Sequence, residues 1–283
     1  MPSEGKYGKR SKTLKHGRPP LSRKPQGSLS AKVTRNVIRS HHQLCKALEV
    51  AESNGDSENA RRISEELAAR GGVRRYQQAS LQGQASDRGG DTSRILLTWM
   101  QNSSAKAAER LRMLEVGALS VDNMCSKSGL FDVSRIDLHS ETPGIEQQDF
   151  MMRPMPSDES EKFDIISLSL VLNYVANPEQ RGEMLRRTCE FLAVEEGEDR
   201  IAPLLFLVLP APCVNNSRYL NEERLVQIMK SLGYSVREKK CTAKLAYYLW
   251  SLDEHQTPSN LAFRKEEVHP GKTRNNFCIL LNH

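Results

Sequence analysis

Short apolar runs alternate with segments of helical periodicity throughout the second half of the chain. This alternation is typical of an α/β fold, in which helices cover both faces of a mostly parallel sheet. One run, at 204–209, is apolar without any polar residue between, as expected for a strand that is covered on both faces. The pattern predicts seven strands, at 112–116, 133–138, 145–149, 163–168, 204–209, 234–241 and 276–281.

Two of the segments between these strands carry clear helix boundaries. The helix predicted at 178–194 follows Asn177, which can cap its first turn, and begins with proline, which is favoured at that position. The helix predicted at 221–232 is followed by Gly233, a residue type that commonly ends helices in the left-handed conformation. The alternation of strands and helices predicts one α/β domain over 111–283.

The first 110 residues do not continue this pattern. Residues 1–40 hold eleven Lys and Arg and one Glu, a net charge of +10, so the remainder of this +6 chain sums to −4. The segment 1–32 has almost no apolar residues and is predicted to be a disordered basic tail. Residues 33–110 have apolar positions at helical spacing and are predicted to form a helical extension.

The extension divides into shorter elements. The pattern predicts a pair of helices that is interrupted at 53–56 and ends at the glycines 71–72. The polar stretch 77–91 is predicted to be a loop, because it lacks apolar periodicity. A further helix is predicted at 93–111, where apolar residues recur at helical spacing.

Several kinds of protein and site are excluded by what the sequence lacks. No apolar run approaches the roughly 20 residues of a membrane-spanning helix, and the charged N-terminus lacks the apolar core of a secretory signal. The six cysteines have no zinc-ligand spacing, so they are predicted to be reduced thiols, and no metal site is predicted. His41 and His42 are interpreted as surface polar residues, since adjacent side chains of a helix diverge.

A glycine and an aspartate mark the carboxyl ends of the first two predicted strands. Gly117 directly follows the first strand, and Asp137 lies twenty residues further on, at the end of the second. Glycine lets the backbone approach a ligand closely, and an acidic group at this spacing can accept hydrogen bonds from ribose hydroxyls. The pair predicts a cofactor that contains adenosine. The glycines that cradle a pyrophosphate are missing, which favours S-adenosylmethionine over NAD.

Longer segments resemble a known family. Glu115-Val116-Gly117, Asp137 and Gln147-Gln148-Asp149-Phe150, which follow the first three strands, resemble class I S-adenosylmethionine-dependent methyltransferases. The segments FDIISLSLVLNYV at 163–175 and LVLPAPCVNNSRY at 207–219 are similar to the fungal 25S ribosomal RNA adenine-N1 methyltransferases. The resemblance covers about 112–250. It implies a Rossmann-like fold with a mostly parallel seven-stranded sheet.

The resemblance assigns roles to particular residues of this chain. It implies that Gly117 touches the methionine moiety of the cofactor, Asp137 the ribose, and Asp149 the exocyclic amine of the adenine, with Phe150 beside that ring. Three of these have structural alternatives. Gly117 could be only a turn glycine, Asp149 could cap the following segment, and Phe150 could belong to the core. Glu115 is interpreted as ordering the loop rather than contacting the ligand.

Transfer to adenine N1 makes few chemical demands, since the neutral base has a lone pair and no hydrogen at that atom. N1 lies on the Watson–Crick edge, so the target adenine of the ribosomal RNA must be unpaired. Asn173, Tyr174 and Asn215 follow the fourth and fifth strands and are predicted to position it, by pairing with its edge or stacking on its ring. Tyr174 could instead be a core residue, and Asn215 a turn residue or helix cap.

These expectations combine into one favoured function and one main alternative, with methylation of a small molecule or a protein as a third option. The favoured function is a nuclear and nucleolar enzyme that methylates N1 of an adenine in 25S ribosomal RNA, with pre-ribosomal particles as further partners and no membrane partner. The alternative is a non-catalytic S-adenosylmethionine sensor that regulates nutrient signalling, as an animal relative of the family does. The basic tail favours the enzyme, because RNA attracts a polycation and a metabolite sensor does not need one.

Overall fold

The computed structural model describes residues 30–83, 90–102, 110–140, 142–194, 201–253, 259 and 261–282. The predicted basic tail at 1–32 lies almost entirely outside these residues. None of the helices in the described ranges is long and apolar enough to cross a membrane.

Helices come first along the chain, and strands alternate with helices after them. The helices are α1 (Ala31–Ser53), α2 (Ser57–Ala69), α3 (Gly72–Gly83), α4 (Ser93–Asn102), α5 (Met124–Lys127), α6 (Pro178–Phe191), α7 (Ala211–Asn215) and α8 (Glu222–Ser231). A short 3₁₀ helix spans Glu159–Glu161. The strands are β1 (Leu111–Val116), β2 (Phe131–Asp137), β3 (Glu146–Gln147), β4 (Ile165–Ser169), β5 (Leu204–Pro210), β6 (Tyr234–Cys241) and β7 (Leu245–Leu252).

The seven strands form one sheet in the order β3-β2-β1-β4-β5-β7-β6. Strands β1 to β5 pair in parallel, whereas β7 runs antiparallel between β5 and β6. The predicted Rossmann-like fold, with a mostly parallel seven-stranded sheet and a helical N-terminal extension, is therefore confirmed. Since the chain order reverses between β1 and β4, the carboxyl ends of these two strands border the crevice where such sheets bind ligands.

Helices cover both faces of the sheet because the buried strands are apolar on both sides. In β5, Leu205 and Leu207 belong to the core that α6 and α8 cover. Leu204 and Phe206 point the opposite way, into the core that α4 and α5 cover. The uninterrupted apolar run at 204–209 is thus explained by two cores that share one strand.

The predicted helix boundaries of α6 and α8 are confirmed within three residues. The side chain of Asn177 accepts a hydrogen bond from the amide of Glu179, 2.8 Å away, and Asn221 caps α8 through the amide of Arg224 at the same distance. Gly233 follows α8 with φ +90°. Each cap satisfies a backbone donor that the first helical turn leaves unpaired.

The predicted strand at 276–281 is wrong. The seventh strand is β7, whose aromatic residues Tyr247, Tyr248 and Trp250 are buried in the core. The segment 276–280 has no regular structure, although it is largely buried, and Leu281 forms only a single bridge with Phe263. Both segments are short and apolar, and the difference is that β7 has a strand to pair with on each side.

The extension differs from its prediction in two places. The predicted loop at 77–91 is wrong in its first part, because α3 continues to Gly83 and buries Ala79 and Ser80 on its inner face. The helix predicted at 93–111 is shorter, since α4 ends at Asn102 and Leu111 already belongs to β1. Residues 103–109 lie outside the described ranges.

Candidate active site

Gly117 forms a tight turn where β1 ends at the crevice. Its φ is +72°, and a Cβ atom at this position would lie 2.7 Å from Cγ2 of Val171. The amides of Gly117 and Ala118 both donate to the carbonyl of Ile136, at 2.8 and 3.1 Å, which binds the turn to β2. Only glycine fits both this left-handed conformation and the close approach of Val171.

A cavity of about 220 Å³ lies beside this turn, at the carboxyl ends of β1 and β4. Its wall is mostly polar and combines the turn after β1 with the segment that leads into α4. The lining residues are Leu81, Asp91, Thr92, Glu115, Val116, Gly117, Leu119, Ser120, Asp122, Asn123 and Ser169. The structure therefore places Gly117 in the wall of a cavity at the edge of the sheet where ligands are expected.

Asp137 ends β2, next to the end of β1. Its Oδ1 accepts hydrogen bonds from the amide of His139 at 2.9 Å and from Nε2 of Gln77 at 3.4 Å. Gln77 lies on α3, so the helical extension touches the acidic residue that was predicted to bind ribose. No donor among the described residues contacts Oδ2 of Asp137, which leaves that oxygen to accept a bond from a ligand.

Glu115 lies beside Gly117 and is held by a neighbouring amide. Nδ2 of Asn123 donates to both carboxylate oxygens, at 2.8 and 2.7 Å. Burial raises the pKa of Glu115 to about 7, and the carboxylate of Asp91 acts in the same direction. The interpretation that Glu115 orders the loop is consistent with the bonds to Asn123. Sequence reasoning had singled out neither Asp91 nor Asn123, because their partners lie on other elements.

We expect Glu115→Gln to raise the free energy of unfolding at about pH 8 and to change it little at about pH 4. The pKa of Glu115 rises from 4.5 to about 7 on folding, so the folded state resists ionisation and stability is lost as the pH rises through this interval. The full penalty, present above about pH 7, is about 3 kcal/mol. Thermal unfolding of the cofactor-free protein across this pH range checks the prediction.

The matched control for this substitution is Glu238→Gln, which removes an exposed carboxylate from the edge strand β6. It should change the unfolding free energy by less than about 0.5 kcal/mol at either pH. A gain for Glu115→Gln that is equally large at low and high pH would contradict the raised pKa as its cause.

Asp149 and Phe150, the other two predicted cofactor residues, have structural partners. Oδ1 of Asp149 accepts a hydrogen bond from the amide of Met151 at 2.8 Å, so the carboxylate caps the turn after β3. Phe150 is 2 % exposed and packs against Phe191, with ring centroids 5.4 Å apart. Phe150 is therefore a core residue, and the contact of Asp149 with a cofactor stays a prediction.

Asn173 lies in the turn that follows β4. The chain leaves this strand through Leu170, which has φ +59°, and the amide of Tyr174 closes the turn on the carbonyl of Val171 at 2.8 Å. The side-chain Oδ1 of Asn173 is buried and has no hydrogen-bond partner within the described part of the chain. A buried carbonyl oxygen without a donor is costly, so it is a candidate for receiving one from a ligand.

Tyr174 belongs to a cluster of four aromatic rings that joins the extension to the sheet. Its ring stacks on His42 of α1 with centroids 3.9 Å apart, and His41 stacks on Tyr76 of α3 at 4.6 Å. Tyr76 and Tyr174 meet edge to face at 6.1 Å. We call His41, His42, Tyr76 and Tyr174 the four-ring cluster. One face of Tyr174 is already covered by His42, so only its remaining surface is available to a base.

The prediction that His41 and His42 are surface polar residues is wrong for His42, whose ring is covered by Tyr174, whereas His41 stays half-buried. Burial lowers the pKa of His42 to about 3, and the neighbouring His41 and Lys46 lower it further. The imidazole is therefore neutral at physiological pH and packs as an aromatic ring. Within the sequence, its partner Tyr174 is more than a hundred residues away, so no local pattern could have revealed the contact.

Asn215 is exposed at the end of α7, at the carboxyl end of β5. The loop that follows it is fixed by residues near the C-terminus, since Nδ2 of Asn275 donates to the carbonyl of Pro212 at 2.6 Å. Nε of Arg218 donates to Oδ1 of Asn276 at 2.8 Å. Asn173 and Asn215 follow neighbouring strands, and the C-terminal segment supports the loop after Asn215. Among the described residues, no group of His, Cys, Asp and Glu could hold a metal ion.

Comparison with known proteins assigns a family to this arrangement. The profile of the family described as 25S rRNA (adenine(2142)-N(1))-methyltransferase, Bmt2, matches residues 61–279. The chain is 43% identical over 253 residues to a Schizosaccharomyces pombe protein named 25S rRNA adenine-N(1) methyltransferase, covering 86% of this chain and 91% of that protein. It is 38% identical over 220 residues to the Saccharomyces cerevisiae 25S rRNA (adenine(2142)-N(1))-methyltransferase, covering 77% of this chain and 63% of the yeast protein.

Solved structures are similar to the chain at a more distant level. A Burkholderia thailandensis 1,6-didemethyltoxoflavin-N1-methyltransferase, solved with S-adenosylhomocysteine, shares 10% identity at a TM-score of 0.44, covering 63% of this chain and 87% of that one. The protein TnmH shares 15% identity at a TM-score of 0.45, covering 76% and 70%. The fold assignment rests on the strand order of the chain itself.

Proposed function

The chain belongs to the 25S rRNA adenine-N1 methyltransferase family, and from this premise we propose that it methylates N1 of an unpaired adenine in 25S ribosomal RNA. The observation that carries the proposal is the match of the family profile to residues 61–279, a range that contains the whole sheet and the cavity at Gly117. The methyl donor is S-adenosylmethionine. A non-catalytic sensor of the same cofactor is not favoured by this family assignment.

The residues at the crevice fit S-adenosylmethionine. Gly117 lines the cavity at the end of β1, so its backbone can meet a ligand there. Cγ2 of Val171 fills the place that a Cβ atom of residue 117 would take. Asp137 offers a carboxylate oxygen at the end of the neighbouring strand, where the two hydroxyls of a ribose can donate. The chain provides no glycine-rich cradle for a pyrophosphate. S-adenosylmethionine contains no pyrophosphate and therefore needs no such cradle.

S-adenosylmethionine supplies a methyl group on a positively charged sulfur, and the lone pair of adenine N1 can accept that group without prior loss of a proton. The chain then needs to position the base and to exclude water. Asn173 is placed for the first task, since its unpartnered Oδ1 can accept a hydrogen bond from the exocyclic amine next to N1. The four-ring cluster, which includes Tyr174, provides the aromatic surroundings of that turn.

We expect ribosomal RNA from cells that lack this protein to lose one methylation on the Watson–Crick face of an adenine. The modified base blocks reverse transcription, so the measurement is a primer-extension stop that is present in wild-type RNA and absent from the deletion strain. Purified protein with radiolabelled S-adenosylmethionine should transfer the labelled methyl group to RNA from the deletion strain. Wild-type RNA should remain unlabelled, because its target adenine is already methylated.

Two outcomes separate the enzyme from the sensor. If the stop remains in the deletion strain, and the purified protein binds S-adenosylmethionine without labelling any RNA, the protein is a sensor and not an RNA methyltransferase.

We also propose a nuclear and nucleolar location with pre-ribosomal particles as partners, because the substrate RNA is assembled there. A fluorescent fusion that is confined to the cytoplasm would contradict this location.

A further inference from the structure

A row of cations lies along one face of α1. Lys32, Arg35, Arg39 and Lys46 are separated by three, four and seven residues, spacings that place their side chains on the same side of a helix. The first eighteen residues of α1, 31–48, contain no acidic residue, and the two glutamates of the helix come after them. Lys32, Arg35 and Arg39 are exposed, and Lys46 is half-buried.

This row is adjacent to the turn that carries Asn173. His42 lies between Arg39 and Lys46 on the same face of α1, and its ring stacks on Tyr174 at 3.9 Å. At the end of the row, burial lowers the pKa of Lys46, and the nearby guanidinium of Arg181 lowers it further. Arg39 and Lys46 therefore flank the point at which α1 meets the loop after β4.

Arg181 of α6 holds the end of the loop after β4. Its Nε donates to the carbonyl of Val175 at 2.8 Å, and its Nη2 donates to the carbonyl of Ala176 at 2.9 Å. Its guanidinium is near enough to Lys46 to lower the pKa of that ammonium group. Within the described residues, Lys32, Arg39 and Lys46 form no ion pair with a carboxylate, so their charge is available to an anion.

We propose that Lys32, Arg35, Arg39 and Lys46 form an RNA-binding surface that holds the phosphates next to the target adenine and directs that base to Asn173. The inference rests on the proposed function, since it concerns the same substrate. Successive cations of the first three are about 4.5–6 Å apart along the helix axis, a distance comparable to that between neighbouring phosphates of a single strand. Phosphate contacts set the position of a nucleic acid on a protein, while a base contact supplies specificity.

The test compares two double variants that remove the same charge from the helical extension. Arg35→Gln/Arg39→Gln removes two cations of the row, and Arg61→Gln/Arg62→Gln removes two exposed cations from α2, where Arg61 pairs with Glu65. Affinity for a 25S RNA fragment that contains the target adenine is measured by fluorescence anisotropy at several salt concentrations. Affinity for S-adenosylmethionine and the melting temperature are measured in parallel, to show that each variant is folded.

We expect the row variant to bind RNA about tenfold more weakly at physiological salt. Each lost phosphate contact lowers the slope of log affinity against log salt by about 0.7 for single strands, so two contacts lower it by about 1.4. The α2 variant should bind RNA like the wild type, and both variants should retain affinity for S-adenosylmethionine. Arg39→Gln alone, a milder change, should weaken RNA binding about threefold.

The proposal would be overturned if the row variant, the α2 variant and the wild type had equal RNA affinities. It would also be overturned if both variants lost affinity equally, because RNA binding would then depend on total charge and not on the row. If the row binds an acidic protein instead, RNA affinity will be unchanged in the row variant. These outcomes do not depend on transfer of the methyl group. A wild-type protein that fails to methylate RNA would contradict the proposed function, while the affinities of the variants would still decide on the row.

Discussion

Replacement of Gly117 by arginine is expected to raise the Kd for S-adenosylmethionine by at least about 100-fold, a loss of about 2.7 kcal/mol. The turn has φ +72°, and even a Cβ atom would lie 2.7 Å from Val171. The substituted backbone must therefore shift at the end of β1. A long side chain in the wall of a cavity of about 220 Å³ also competes with the ligand for that volume. Isothermal titration calorimetry measures the effect directly.

A matched control separates the loss of binding from backbone strain. Gly129 has the same φ of +72°, but no atom lies within 4 Å of the Cβ that would be added there. Gly129→Arg carries the strain of a left-handed residue on the exposed side of the turn before β2, and it should bind S-adenosylmethionine normally. Unchanged affinity in Gly117→Arg, with a normal circular dichroism spectrum, would remove Gly117 from the site.

A rescue variant tests the physical cause more narrowly. Gly117→Ala should also weaken cofactor binding, because its Cβ meets Cγ2 of Val171. In the double variant Gly117→Ala/Val171→Ala that methyl group is absent, so part of the affinity should return. If the double variant binds no better than Gly117→Ala, the left-handed conformation rather than the contact with Val171 is the limiting factor.

Replacement of Asp137 by asparagine is expected to raise the Kd for S-adenosylmethionine about 10- to 100-fold. The charged carboxylate can accept from both ribose hydroxyls, and a hydrogen bond to a charged group is worth about 1.5–3 kcal/mol. Asparagine keeps the oxygen that accepts from His139 and Gln77, so the end of β2 should retain its structure. Calorimetry with S-adenosylmethionine and S-adenosylhomocysteine provides the measurement.

An analogue of the cofactor without the 2′-hydroxyl shows whether Asp137 acts on the ribose. The wild type should lose affinity for this analogue, whereas Asp137→Asn should bind the analogue and the natural cofactor almost equally. Asp132→Asn, an exposed position at the start of β2, should behave like the wild type. If the analogue weakens binding to Asp137→Asn as much as to the wild type, Asp137 does not contact that hydroxyl.

Local signals in the sequence were sufficient where a property depends on neighbours in the chain. The unbroken apolar run of β5 predicts a strand with two covered faces, and the structure confirms it through the cores on either side of Leu204 and Leu205. The cap by Asn177 depends on an amide only two residues away. The turn at Gly117 was likewise predictable, because its position directly follows an apolar strand.

Local signals failed where two segments had the same pattern but different partners. The runs at 245–252 and 276–281 are both short and apolar, yet only the first enters the sheet. His42 was interpreted as a surface residue because it lies among polar neighbours on α1. Its burial comes from Tyr174, which reaches it only in the folded chain.

The sequence by itself determined the class of the fold, the position of the turn at Gly117 and the charge of the N-terminal region, since each of these follows from residue type and spacing along one segment. The tertiary structure alone decided which apolar run completes the sheet, how far burial raises the pKa of Glu115, and that His42 of α1 stacks on Tyr174, next to Asn173. The physical reason is that strand pairing, burial and desolvation are properties of contacts, and these contacts join residues that are far apart in the chain.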